Sequence, residues 1–152
     1  MPRRYIPCFG ILAVVLVTQQ PLHIPAWIIR QLSEAQQRTA RTVDEEFHCL
    51  RGHGLWVTGI RKPKQTTARK YIEGRRYSTV KHDLCPRGTI ADVHSHPRFS
   101  GGLKDCKPSA TDYATWAEVT AYEYFIITCS PWEPNQVRLE FYKKNQKKSE
   151  PD

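Results

Sequence analysis

Hydrophobic and polar positions along this chain repeat with two different periods, which predict helices and strands in turn. Apolar residues recur every three or four positions from Pro25 onwards, which predicts a helix over 25–39. A second helix is predicted over 110–122, where Ser109 suits the position before the first turn. Runs rich in β-branched and aromatic residues predict six strands, at 47–52, 55–60, 77–81, 89–95, 124–129 and 136–142. This order of elements predicts an α/β, sandwich-like domain.

The length and composition of the chain fit one domain with a hydrophobic core. It has 152 residues, of which 39% are hydrophobic and 11% aromatic. A chain of this size buries enough apolar surface to fold without disulfides. Trp27, Trp56 and Trp116 fall on apolar faces of the predicted elements, so we expect all three in the core. We place the domain at 22–143.

Positive charge is concentrated in two segments, 61–76 and 143–148. The net charge is +8 and the pI is about 9.4, which suits nucleic acid, an anionic membrane surface or an acidic protein and does not choose among them. We predict that 61–76 is a long surface loop with some extended structure, and that 144–152 is a disordered basic tail. No nucleic-acid-binding motif accompanies the bases and aromatics between Arg69 and Tyr77, so we favour a solvated face there and disfavour nucleic acid as the partner.

The N-terminal segment 1–21 is an apolar extension with two interpretations. Residues 1–4 are basic and 5–17 are nearly all apolar, which is typical of the first two regions of a signal peptide. No small-x-small cleavage site follows, and the apolar run is shorter than the roughly 20 residues that span a bilayer. A buried strand or an upstream extension explains the same pattern. Export or membrane anchoring through 5–17 therefore stays open beside a strand.

The five cysteines, at positions 8, 49, 85, 106 and 129, indicate no disulfide framework. Their number is odd and no Cys-x-x-Cys occurs, so a structural zinc knuckle is not indicated either. We expect mostly reduced thiols in a cytoplasmic protein. A bridge between Cys85 and Cys106, which flank the strand at 89–95, is an alternative that nothing else in the sequence supports.

The most informative segment is the strand that ends in His-Ser-His-Pro at 94–97. Side chains two positions apart on a strand share a face, so His94 and His96 can present two imidazoles to one metal ion. A catalytic zinc site needs a third protein ligand and an open position for water. Asp112, in the first turn of the second helix, is the best-placed carboxylate, although Ser109 and Asp112 also form a capping-box pattern. Imidazole and carboxylate ligands with an open position favour zinc, and another divalent metal stays open.

Together these motifs resemble the signature of the JAMM (MPN-positive) zinc metalloprotease family. His-Ser-His-Pro at 94–97 is followed by Ser-Ala-Thr-Asp at 109–112, and Glu45 stands seven positions before Gly52, as a glutamate does in that family. The resemblance covers about 22–142, and Cys-Lys-Pro before Ser109 looks like its prokaryotic members. It implies a curved mixed β-sheet with flanking helices, of cytidine-deaminase-like architecture.

The resemblance also implies a role for each motif residue. His94, His96 and Asp112 would bind one zinc ion, Glu45 would be the general acid and base, and Ser109 would help to stabilise the oxyanion. The implied activity is a metallopeptidase or isopeptidase that cuts a peptide-type amide bond. The implied substrate is a peptide, or a ubiquitin-like or sulfur-carrier protein conjugate.

Departures from the family pattern leave several alternatives open. Eleven residues separate Pro97 from Ser109, where the family commonly has seven, so the substrate class is open. A register shift of one residue would make Glu46 the base in place of Glu45, and on a strand only one of them can face the site. A non-catalytic scaffold of the same fold and a basic nucleic-acid-associated protein are the two rival functions. The retained ligands argue against the first, and charge alone supports the second.

Overall fold

The structure is a computed structural model that describes residues 14–17, 20–99 and 101–144. In chain order its elements are β1 (Val14–Val17), α1 (Ala26–Thr42), β2 (Phe47–His53), β3 (Trp56–Arg61), β4 (Gln65–Ile72), β5 (Arg75–His82), β6 (Thr89–Ser95), a short 3-10 helix (Leu103–Cys106), α2 (Ala110–Glu118), β7 (Tyr124–Cys129) and β8 (Gln136–Lys143). The predicted α/β class, with a mixed sheet and flanking helices, is confirmed.

Six strands form one mixed sheet in the order β1-β8-β7-β6-β2-β3. β6 lies in its interior, antiparallel to β2 and parallel to β7. Ala91 and Val93 of β6 are fully buried, and Asp92 and His94 are 3% and 1% exposed. This strand is therefore covered on both faces. The strand that carries the predicted ligands is therefore a rigid part of the fold.

The two helices cover opposite faces of the sheet. Ile28 and Leu32 of α1 share a buried cluster with Ile126 of β7. Phe125 and Ile127, the neighbours of Ile126 in β7, pack instead against Trp116 of α2. Because successive side chains of a strand point to opposite faces, α1 and α2 enclose the sheet between them. His94 is on the α2 face, since its ring lies 6.3 Å from that of Trp116.

The basic segment 61–76 is more regular than the surface loop with some extended structure that we predicted, and the strand predicted at 77–81 lies within β5. The basic segment contains β4, which pairs over its full length with β5 in a separate two-stranded sheet. Glu73 and Gly74 both have positive φ angles, 49° and 75°, which suits the tight turn between two such strands. Most side chains of the hairpin are exposed, so the strands have no buried face and their sequence lacks the apolar alternation that predicts a strand.

β1 is paired in parallel with β8 at one edge of the sheet. A strand, one of the two interpretations of the N-terminal apolar run, is therefore what the structure has at Val14–Val17. The rest of that run up to residue 13 and the basic tail from residue 145 lie outside the described residues, and the domain boundaries stay predictions. None of the helices in the described part of the chain is long and apolar enough to cross a membrane.

The expectation of reduced thiols is wrong for the described cysteines. Cys49 is bonded to Cys85, with Cα atoms 5.6 Å apart, and Cys106 to Cys129, with Cα atoms 5.2 Å apart. The alternative bridge between Cys85 and Cys106 is wrong as well, and Cys8 lies outside the described residues. Each bridge joins cysteines far apart in sequence, by 36 and 23 positions, so their proximity is a result of the tertiary fold.

The three tryptophans expected in the core divide into one that is buried and two that are not. Trp116 is 4% exposed and stacks on Phe125, with ring centroids 4.7 Å apart. Trp27 is 43% exposed and Trp56 is 63% exposed, so the expectation is wrong for both. Trp27 lies in the first turn of α1, and Trp56 begins the edge strand β3, where its ring stacks on His23 instead of on the core.

We expect Trp116→Ala to lower the free energy of unfolding by about 3–5 kcal/mol, because it leaves a cavity under α2. Trp27→Ala is the matched control and should change it by less than about 1 kcal/mol, since that ring is half exposed. Urea unfolding under non-reducing conditions, followed by circular dichroism, measures both. Equal losses in the two variants would contradict the packing described for α2.

Candidate metal centre

The end of β6 brings two histidines to the same face of the sheet. His94 is 1% exposed and lies between Phe47, whose ring stacks on it at 5.2 Å, and Trp116. His96 follows the last residue of β6, and its backbone N–H donates to the carbonyl of Thr128 over 2.8 Å. This bond continues the pairing of β6 with β7 past the strand end, so the backbone holds both imidazoles in place.

The N-terminus of α2 delivers the carboxylate. Ser109 caps the helix by accepting a hydrogen bond from the Asp112 N–H over 3.1 Å, and Oδ2 of Asp112 accepts from the Ser109 N–H over 2.6 Å. The predicted capping box is thus present, and it does not compete with a ligand role. It orients the carboxylate, which also faces the two histidines.

Three side chains converge at this point. His94 Nε2 lies 2.9 Å from His96 Nε2 and 3.1 Å from Asp112 Oδ1, and His96 Nε2 lies 3.4 Å from Asp112 Oδ2. The three residues each offer one ligand atom, and these atoms lie within 4.8 Å of one another. The structure therefore brings together all three residues that the sequence predicts as metal ligands.

The donor set fits a zinc ion. Two imidazole nitrogens and one carboxylate are a typical ligand set of catalytic zinc, which keeps a fourth position open. His96 Nδ1 lies 2.9 Å from the carbonyl oxygen of Asp105, so Nδ1 carries the proton and Nε2 turns its lone pair towards the centre. Such an outer hydrogen bond is characteristic of metal-binding histidines.

Charges within the centre keep its carboxylate ionised. Burial alone would raise the pKa of Asp112, but hydrogen bonds from His94 and His96 outweigh it, so this pKa lies well below its usual range. Burial would likewise lower the pKa of His94, but the Asp112 carboxylate raises it above the ordinary value. Metal binding needs the imidazoles in their neutral form, so zinc has to compete with protons for His94 and His96.

The two adjacent glutamates lie in different electrostatic surroundings. Glu46 forms ion pairs with Arg38, at 2.8 Å, and with Lys62, at 3.3 Å. Glu45 instead interacts with the charges of the metal centre: burial raises its pKa, the two histidines oppose that rise, and Asp112 adds to it. These surroundings favour Glu45 over Glu46 as the candidate base, and the assignment stays a proposal.

A buried polar network behind the centre was not found by sequence reasoning. Gln36 of α1 donates to the carbonyl of His96 over 3.0 Å, and its own oxygen accepts from Thr128 Oγ1 over 2.9 Å. Thr39 and Ser95 share a hydrogen bond of 2.5 Å between their hydroxyl groups. The signal was present in the sequence: Gln36 follows Ile28 and Leu32 on the buried stripe of α1, where a polar residue needs a partner.

The long loop between Pro97 and Ser109 is tied to β7 and β8 of the sheet. It contains the 3-10 helix, and the disulfide from Cys106 to Cys129 fixes that helix to the end of β7. Tyr142 donates to the carbonyl of Cys106 over 3.1 Å. The neighbouring Asp105 carbonyl is the one that orients His96, so the bridge supports the ligand geometry.

Comparisons with known proteins give weak likenesses. No protein-family model matches this sequence, and no curated protein sequence matches it. A JAB1/MPN domain protein from Archaeoglobus fulgidus is 22% identical, with a TM-score of 0.44 over 76% of this chain and 83% of that one. A structure described as JAMM, a metalloprotease-like zinc site in the proteasome and signalosome, is 18% identical, with a TM-score of 0.44 over 90% of this chain and 94% of that one. Because identity and TM-scores are low, function has to be inferred from the centre itself.

We expect the zinc affinity of the protein to fall as the pH is lowered from 8 to 5. Protons compete with the metal for His94 and His96, and each histidine that has to lose a proton costs roughly tenfold in affinity per pH unit. Since Asp112 raises the pKa of His94, the loss should begin at a higher pH than for an isolated imidazole.

Competition titrations against a chromophoric chelator at several pH values measure this affinity. His53→Ala, which removes an exposed histidine at the far end of β2, should leave the profile unchanged. A zinc affinity that is constant between pH 5 and 8 would show that His94 and His96 do not bind the metal.

Proposed function

We propose that this protein is a zinc-dependent hydrolase that cuts a peptide-type amide bond, as a metallopeptidase or an isopeptidase. The observation that carries the proposal is the convergence of His94 Nε2, His96 Nε2 and the Asp112 carboxylate within hydrogen-bonding distance at the end of β6. Burial and the charges of these three groups act on the pKa of Glu45, which supports Glu45 as the base of the same centre.

In this proposal the metal and the protein have separate tasks. Zinc, when bound by His94, His96 and Asp112, would supply a Lewis acid that polarises the carbonyl and lowers the pKa of water. Glu45 takes the proton from the attacking water and gives it to the leaving amine. Burial raises the pKa of Glu45, which makes it a better proton acceptor than an exposed carboxylate and a better donor in the second step.

The position of Ser109 beside Asp112 supports a role in stabilising the developing negative charge. Its hydroxyl now donates to Asp112 Oδ2 over 2.9 Å, at the N-terminus of α2. The positive end of the helix dipole points to the same place and favours an oxyanion there. A substrate carbonyl in the centre would then receive a hydrogen bond from Ser109 as its oxygen becomes charged.

The substrate that we propose is a peptide or a conjugate of a ubiquitin-like or sulfur-carrier protein. The resemblance of the motifs to JAMM metalloproteases supports this class. The net charge of +8 further favours a substrate with an acidic surface, because opposite charges speed association. Nucleic acid stays a disfavoured partner.

The disulfides bear on where the protein works. Two bridges in a chain of this size are typical of oxidising compartments, and cytoplasmic proteins keep most thiols reduced. We therefore propose that the protein works in an oxidising compartment, in place of the cytoplasmic location that the sequence slightly favoured.

We expect about one zinc ion per chain in the purified protein. The double variant His96→Ala/Asp112→Ala should lose it, because two of three protein ligands are gone. Elemental analysis after dialysis measures the content, with His53→Ala as the matched control that keeps its zinc. A wild-type chain that stays metal-free even after incubation with zinc would leave the non-catalytic scaffold as the better hypothesis.

We expect Glu45→Gln to lower kcat for peptide or isopeptide cleavage by roughly 10²- to 10⁴-fold while zinc content stays unchanged. The amide keeps the size of the side chain but cannot take the proton. Glu46→Gln, the matched control at the next position, should stay within a few fold, because Glu46 pairs with Arg38 and Lys62. If only the Glu46→Gln chain lost activity, Glu46 would be the base and the assignment to Glu45 would be wrong.

A further inference from the structure

Behind His94, on the same face of β6, lies a buried carboxylate that the proposed mechanism does not use. Asp92 is two positions before His94 and is 3% exposed. One of its oxygens, Oδ2, accepts a hydrogen bond from the hydroxyl of Tyr122 over 3.0 Å. The other, Oδ1, is buried and has no hydrogen-bond partner among the described residues.

His94 has a complementary unpaired atom. Its Nδ1 is also buried without a hydrogen-bond partner in the described part of the chain, whereas Nδ1 of His96 is satisfied by the carbonyl of Asp105. The two predicted ligands therefore differ in whether Nδ1 has a hydrogen-bond partner among the described residues. A buried donor or acceptor without a partner destabilises the folded state, so the fold is expected to pair such atoms.

The neighbours of Asp92 leave few other polar partners on this face. On one side Asp92 is opposite Cys49, whose sulfur is in a disulfide, and on the other it is opposite Phe125. Neither side chain offers a strong hydrogen-bond donor. Along the strand, the next residue on the same face is His94, about 7 Å away from backbone to backbone, a distance that two side chains span.

We propose that Asp92 is a positioning residue of the metal centre. One buried water molecule donates to its Oδ1 and accepts from His94 Nδ1–H, and this bridge keeps the Nε2 lone pair of His94 turned towards the metal. Tyr122 orients Asp92 through the other oxygen. This inference rests on the proposed function, since it assumes that His94 binds a metal ion.

In this arrangement the Nδ1 atoms of the two histidines have different hydrogen-bond acceptors, and each acceptor orients its imidazole ring. His96 is oriented by a backbone carbonyl, and His94 by a carboxylate through the water molecule. A carboxylate behind a histidine ligand also makes that ligand a stronger electron donor to the metal. Asp92 is not one of the proposed zinc ligands, because the ligand atoms that converge are those of His94, His96 and Asp112.

The experiment compares zinc affinity in four chains by chelator competition at pH 7.5. Asp92→Leu removes the acceptor at similar size and should weaken zinc binding roughly 10- to 100-fold. Asp92→Asn keeps an acceptor oxygen and should recover much of that loss. Thr89→Val is the matched control, a buried polar residue of the same strand whose hydroxyl donates to the Pro86 carbonyl, and it should bind zinc like the wild type.

A second measurement reports on the hydrogen bond itself. Proton–nitrogen NMR of the histidine rings in the metal-free wild type should show a slowly exchanging Nδ1–H of His94, and the Asp92→Leu chain should lack it. If Asp92→Leu does not fold, as thermal unfolding will show, Asp92→Asn and Tyr122→Phe carry the test. Tyr122→Phe should shift the same signal while leaving that of His96 unchanged.

The outcomes separate the two proposals. A wild type that binds no zinc would overturn the proposed function and this inference with it. A wild type that binds zinc, together with an Asp92→Leu chain of equal affinity and an unchanged His94 signal, would overturn the inference alone. Weaker binding in Asp92→Leu, recovery in Asp92→Asn and an unchanged Thr89→Val chain would establish Asp92 as the outer partner of His94.

Discussion

The interior position of β6 is the constraint on which the rest of the structure depends. Its backbone pairs with β2 on one side and β7 on the other, and the register places His94 opposite Phe47 and Ile127. A strand held on both edges cannot slip without moving every side chain to the opposite face. The two imidazoles are thereby fixed relative to the sheet, and the third ligand has only to be brought to them by α2.

Burying imidazoles and a carboxylate has an energetic cost that the surrounding fold has to offset. Charged groups away from water are unfavourable unless they are paired, and here Asp112 and His94 pair with each other. Around them α1 contributes Gln36 and Thr39, which satisfy the polar groups on the far side of β6. A zinc ion would be held by the same groups, so the contacts that stabilise this part of the fold also position the proposed ligands.

The long connection between β6 and α2 is held by covalent and polar links. The bond between Cys106 and Cys129 joins residues 23 positions apart. In the loop-closure description it lowers the conformational entropy of the unfolded chain, which stabilises the folded state by about 3 kcal/mol. It also fixes the carbonyl of Asp105 against His96. Stability and ligand geometry therefore depend on the same bridge, whose effect reaches the centre through one hydrogen bond.

Elements with a buried face were predictable from the sequence, because burial leaves a periodic pattern of apolar residues. The strands at 89–95 and 124–129 were predicted with the bounds that the structure has. Of the hairpin, the strand at 77–81 was predicted and lies within β5, but β4 was not, since its residues are mostly exposed and its Arg69 pairs with Asp44 from another part of the chain.

The sequence by itself determined which residues could form the candidate centre, because side chains two apart on a strand and a capping box at a helix start are local features. His94, His96, Ser109 and Asp112 could be named on that basis. Only the fold brings together the cysteines that pair, and only the fold leaves Asp92 Oδ1 buried without a hydrogen-bond partner among the described residues. Those outcomes depend on contacts between segments distant in the chain, whose distances no local pattern records.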